Sequence, residues 1–91
     1  MDDRTDGLLS SLHEHLEATA ERPLSTEANR WLGEAEAIAE NLATSDVDRE
    51  TAHERIETVL GLLAEIDETG DEEADKHVDA ARRAGERVLE R

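Results

Sequence analysis

Apolar residues recur in four stretches separated by short polar breaks, and within each stretch they are spaced three or four apart, the signature of a helix with one buried face. In the first, Leu8, Leu9, Leu12 and Leu16 share a face over about Asp3 to Glu21. Pro23 closes that stretch, because proline disfavours helical backbone at the residue ahead of it. Ser25 is placed to cap the second helix, with Glu27 in its first turn complementing the helix dipole. The apolar stripe there reads Leu24, Trp31, Ala35, Ile38 and Leu42, widened by Leu32 and Ala39. Its phase puts Trp31 in the core as the largest member, the alternative being an interface anchor.

Residues Asn41 to Ser45 form the next break, and Ser45-Asp46-Val47-Asp48 has the capping-box order of a hydroxyl followed three residues later by a carboxylate, so the third helix is expected to start there. Its apolar face, Ala52, Ile56, Val59, Leu60, Leu62, Leu63 and Ile66, is wide enough to touch more than one neighbour and makes it the expected central helix. Gly70 offers a left-handed stop, and Thr69 or Asp71 can cap a fourth helix from about Glu72 to Glu90. That helix buries Ala74, Val78, Ala81, Gly85 and Val88 and pairs Glu72 with Lys76 and Asp79 with Arg83 at four-residue spacing. Short breaks between helices of similar length make neighbours antiparallel, so the expected fold is all-α, a small antiparallel bundle of about four helices in a single domain over residues 1–91. The first helix is rich in Leu and the fourth in Ala and Gly; a dimer would even out these unequal faces.

Length and composition narrow the picture. A chain of 91 residues buries only roughly 60–65% of its unfolded surface, which allows one thin core. Cysteine, phenylalanine and tyrosine are absent and Trp31 is the sole aromatic residue, so disulfide, thiol and zinc-thiolate chemistry are excluded and the core must be aliphatic. The net charge is −15, from 25 acidic and 10 basic residues, with Lys76 the single lysine. Carboxylate excess with lysine nearly eliminated is the habit of salt-in halophilic archaea, whose proteins stay hydrated in molar KCl. The competing reading makes the acid functional, as a nucleic-acid mimic or a binder of basic proteins. No run of about 18 apolar residues could span a membrane, and Met1-Asp2-Asp3 is acidic where a signal peptide is basic, so the expected location is cytoplasmic. Without a basic patch or an aromatic platform, neither nucleic acid nor membrane is an expected partner.

Histidines and paired carboxylates are the natural places to look for chemistry. His13 and His15, two residues apart, point about 200° from each other around a helix and cannot chelate one ion. Both are read as surface or flank residues. Glu50-x-x-His53 is one Glu-x-x-His step of the di-iron kind, but such a site needs two of them and two further inward glutamates, and Glu73 with His77 is a single i, i+4 pair of a kind expected by chance in so acidic a chain. No metal, cofactor or catalytic residue is assigned. The five glycines are scattered, with no phosphate-binding loop. Arg82, Arg83 and Arg87 form the one basic cluster, read either as an anion or acidic-partner site or as helix-face pairing with a favourable dipole contact.

Two resemblances add expectations. Glu54-x-x-Glu57 followed on the next helix by Glu72-x-x-Asp75 resembles the magnesium-binding signature of the all-α nucleotide pyrophosphohydrolases, the MazG-like family, and would make those four residues metal ligands. Helical phase places Glu54 and Glu57 off the face of Ile56, Leu60 and Leu63, toward solvent. The run Arg22-Pro23-Leu24-Ser25-Thr26-Glu27-Ala28-Asn29-Arg30-Trp31-Leu32-Gly33-Glu34-Ala35-Glu36-Ala37, with Asp67-Glu68-Thr69-Gly70-Asp71, resembles a group of short, acidic, haloarchaeal helical proteins of uncharacterised function. That resemblance implies habitat and helical fold and carries no activity. The expected function is a non-enzymatic protein–protein interaction or structural module that self-associates or binds another protein, with the pyrophosphohydrolase as the alternative.

Overall fold

A computed structural model of the chain describes residues 3–90. Four helices follow one another, α1 (Asp3–Thr19), α2 (Thr26–Thr44), α3 (Arg49–Ala64) and α4 (Glu72–Leu89). They close a four-membered ring in which each packs on two neighbours, α1 on α2 and α4, and α3 on α2 and α4, in a body of 35 × 20 × 18 Å. The expected all-α antiparallel bundle is what forms. α3 is not the central helix, however; no helix is, and the most intimate pair is α1 with α4.

The reason lies in side-chain size. Leu9, Leu12 and Leu16 of α1 are all buried, Leu12 and Leu16 completely. On α4, Ala81, Ala84 and Val88 lie on the same line as His77, which reaches α1, so this line presents small side chains to the leucines. Large residues on one helix meet small ones on the other, and the axes come close. The unevenness that favours a dimer in the sequence is thus a match between neighbours within one chain, and Leu8 is the one leucine of α1 left half-buried.

α2 is rotated from its expected phase. Its buried residues are Ala28, Leu32, Ala35, Ala39 and Leu42, while Trp31 and Ile38 are half-buried at the flank. An indole pointed at the axis of so narrow a ring would overfill it; the alanines take that position instead. The flank faces α3. Arg55 of α3 donates to Asn41 Oδ1 at 2.7 Å, Leu62 lies seven residues along the same line of α3, and Leu60 on the opposite flank touches Gly85 of α4.

Caps explain where the helices begin. The side chain of Ser25 accepts from the Ala28 amide as anticipated, and of the two candidates for α4, Thr69 and Asp71, it is Asp71 that accepts from the Ala74 amide. The expected cap at Ser45 is corrected. α2 runs on to Thr44, the Ser45 amide closes it by donating to Asn41 O, and the N-cap of α3 is Asp48, accepting from Thr51 N at 2.7 Å. Ser45 cannot end one helix and start the next, because the chain needs Asp46 and Val47 to reverse. Pairing on α4 also shifts by one residue, to Glu73–Lys76 and Asp79–Arg82.

The loops 20–25 and 65–71 meet at one end of the bundle. The Ser25 amide donates to Thr69 O at 2.8 Å, and the Arg22 guanidinium grips Asp71 through two bonds of 2.9 and 3.1 Å. Buried Thr69 donates through both N–H and Oγ1 to Asp75. Gly70 has φ +90 with Ser25 N only 3.6 Å from where a Cβ would stand, a backbone that side chains rarely adopt.

Candidate functional site

The 200° between His13 and His15 separates their destinations. His13 turns to the α1–α2 seam, where its Nε2 lies 3.3 Å from Glu36 Oε1 and 3.4 Å from Glu17 Oε2. His15 turns to the α1–α4 seam and bonds His77, Nδ1 to Nδ1 at 3.0 Å, with the rings tilted by 39°. That contact requires one imidazole to donate from Nδ1 while the other accepts there. Of the two expected placements, surface or flank, both histidines take the flank, half-buried and connecting helices. Sequence reasoning missed these groupings because each one joins residues 23 or 62 positions apart. The available signal was that His13–Glu17 and Glu36–Glu40 are both i, i+4 pairs flanking the faces of adjacent antiparallel helices.

Among the described residues, His13, Glu36 and Glu40 are the group of metal-ligating side chains whose donor atoms all lie within 4.8 Å of one another. The other sequence candidates scatter. Glu73 bonds Lys76 and His77 bonds His15, so that pair does not form; Glu50 is exposed and His53 half-buried. Glu54, Glu57 and Glu72 are exposed and Asp75 is engaged by Thr69 as part of the loop brace, so the four residues of the pyrophosphohydrolase pattern do not gather into a site. The arginine cluster also divides. Arg82 pairs with Asp79, whereas Arg87, with Glu90 at the end of its own helix, lines an open groove of about 560 Å³ opposite Arg4, Gly7 and Leu8 of α1.

Trp31 stands over a second concavity, of about 240 Å³, between the start of α2 and the loop after α3. Four carboxylates, Glu27, Glu65, Asp67 and Glu68, line it together with Ile66 and Ser25. Trp31 is therefore a flank residue and not the largest core member. Its Nε1 is buried with no hydrogen-bond partner, and Arg30 lies 5.2 Å over the ring. The indole face thus already carries one cation, and the concavity beside it, lined by four carboxylates, attracts cations and repels anions.

Among the described residues, no helix is long and apolar enough to cross a membrane. No curated protein and no solved structure matches the chain. A family match runs from residue 8 to residue 91, through all four helices and both braced loops, and by it the chain belongs to the family described as Domain of unknown function (DUF8152).

Proposed function

We propose that this domain is a non-enzymatic interaction module that holds a basic segment of another protein on the α2–α3 seam at Trp31. The observation that carries the reading is the half-buried indole beside four carboxylates, in a pocket of about 240 Å³. Ile38 and Leu62 continue the apolar seam, so an arginine or lysine side chain would seat its stem on aliphatic surface and its head among Glu27, Glu65, Asp67 and Glu68. The unused Nε1–H of Trp31 supports the same reading. An unsatisfied buried donor costs roughly 1–3 kcal/mol, and a small rotation of the ring toward a partner's carbonyl recovers it.

A second copy of the chain is a poorer occupant, since two bodies of charge −15 repel and three of the four leucines of α1, Leu9, Leu12 and Leu16, are already covered. The acidic composition and single lysine support a salt-rich cytoplasm as the setting, where only a partner with both apolar and cationic character adheres once bare charge is screened.

Titrating the protein with an oligo-arginine peptide in molar KCl, with Trp31 emission as readout, tests the proposal. Saturable change is expected, lost in Glu65→Lys/Glu68→Lys and retained in Glu14→Lys, which removes an exposed carboxylate from α1. Equal loss in both variants, or no saturable change, overturns it, as does sedimentation showing that the peptide-free chain is a dimer through this face.

A further inference from the structure

We infer that the α1–α2 seam is a binding site for a divalent transition-metal ion of the Zn²⁺ type, with His13, Glu36 and Glu40 as ligands and Glu17 as a fourth donor. Two helices each contribute an i, i+4 pair; His13, Glu36 and Glu40 face one another across the seam, and the more exposed Glu17 reaches His13 from its own helix. Donors bound at about 2.0–2.2 Å from one ion stand roughly 3–4 Å apart. His13 Nε2 already lies 3.3 Å from Glu36 and 3.4 Å from Glu17. Glu40, exposed and free to change rotamer, has only to swing in from within 4.8 Å.

Charge points the same way. None of the ion pairs formed by Lys or Arg among the described residues involves Glu17, Glu36 or Glu40. Three carboxylates thus share a single imidazole, in a chain whose acidic residues outnumber basic ones by 25 to 10. A dication would replace repulsion with coordination. The imidazole makes the donor set selective, because nitrogen ligation favours zinc and its neighbours over the oxygen-seeking Mg²⁺ and Ca²⁺. His13 is half-buried, with 18% of its side chain exposed; the packing of α1 on α2 fixes the ring while leaving an approach from solvent.

Thermal melts of the full chain in molar KCl, with excess ZnCl₂, MgCl₂ or EDTA, decide the matter. Zn²⁺ at a hundredfold excess over its dissociation constant is expected to raise Tm by roughly 10 °C or more, and Mg²⁺ to leave it unchanged. His13→Gln and Glu40→Gln are each expected to abolish most of that rise. Among the described residues Glu40 has no side-chain partner, so Glu40→Gln should melt like the parent chain in EDTA, and its loss of response cannot be a failure to fold. His77→Gln, on the other seam, should keep the full rise. Absence of a Zn²⁺ effect, an equal effect of Mg²⁺, or a rise that survives in both His13→Gln and Glu40→Gln overturns the site. None of these results depends on the Trp31 seam.

Discussion

Asp71 does three things with one carboxylate: it caps α4 through the Ala74 amide, receives Arg22 from the opposite loop, and thereby fixes the backbone that turns at Gly70. The Arg22 hydrogen bonds, followed by the Ala74 amide, hold its carboxyl below the ordinary aspartate value of 3.8, and the same pairing raises Arg22. The Thr51 amide lowers Asp48 in the same sense. A carboxyl that binds its proton more weakly in the folded chain than in the unfolded one adds stability that is fully present above the ordinary value and disappears as pH falls through the lowered one. Asp71→Asn keeps a competent cap and loses the charge, Asp71→Ala loses both, and Arg22→Ala loses the ion pair alone. At neutral pH the expected order of Tm loss is Asp71→Ala largest, with Asp71→Asn and Arg22→Ala smaller. Melts repeated at descending pH should show a shallower acid limb in Asp71→Asn than in the parent, and identical limbs would remove Asp71 from the acid response. Ser25 and Asp71 were legible as caps because a short polar side chain before an acidic first turn has few other uses. Ser45 misled because a capping-box pattern says nothing about how many residues the chain needs to reverse.

Helices as elements were legible because each carries a period of three to four and ends at Pro23, the Ser45–Asp48 break or Gly70. Their rotation was less so. Periodicity gives a face about 100° wide, and which edge of it meets the axis depends on the neighbours, so α2 turned its alanines inward and left Trp31 at the flank. Cross-helix groups such as His13–Glu36 and His15–His77 need the register between helices, which sequence spacing alone does not contain. The α3–α4 contact offers a test of packing at this scale. A Cβ on Gly85 would lie 3.0 Å from Leu60 Cδ2 and 3.5 Å from Ile56 Cγ2. Leu60 is half-buried and its side-chain end can move outward, and alanine in a helix interior gains up to about 1 kcal/mol over glycine, so Gly85→Ala should change stability by less than about 1 kcal/mol. Gly85→Val adds branched bulk against Ile56, which is fully buried, and is expected to cost about 1–3 kcal/mol. Denaturant melts of both variants check this; a strongly destabilised alanine variant would mean that α3 and α4 are locked closer than the contact implies.

For the whole molecule, the ring of four helices sets a thin aliphatic core against a surface of net charge −15. The body is only 18–20 Å across, so carboxylates on adjacent helices lie within reach of one another when the Debye length is about 10 Å, as at 0.1 M salt. In molar salt that length falls to about 3 Å, and each carboxylate then interacts with little beyond its immediate neighbour. The five ion pairs among the described residues, two of them relying on one histidine, offset only a small part of the imbalance. Stability is therefore expected to rise steeply between 0.1 and 2 M KCl, an interval chosen to span these roughly threefold different screening lengths. Two causes contribute, screening of repulsion and strengthened apolar burial, and sucrose at low salt separates them, since it promotes burial by exclusion while leaving every charge in place. A large gain in Tm from KCl with a small one from sucrose assigns the effect to charge; equal gains assign it to the thin core. Coincident melts at the two KCl concentrations would show that the carboxylates are spaced widely enough to coexist unscreened, and the acidic surface would then need an explanation other than salt.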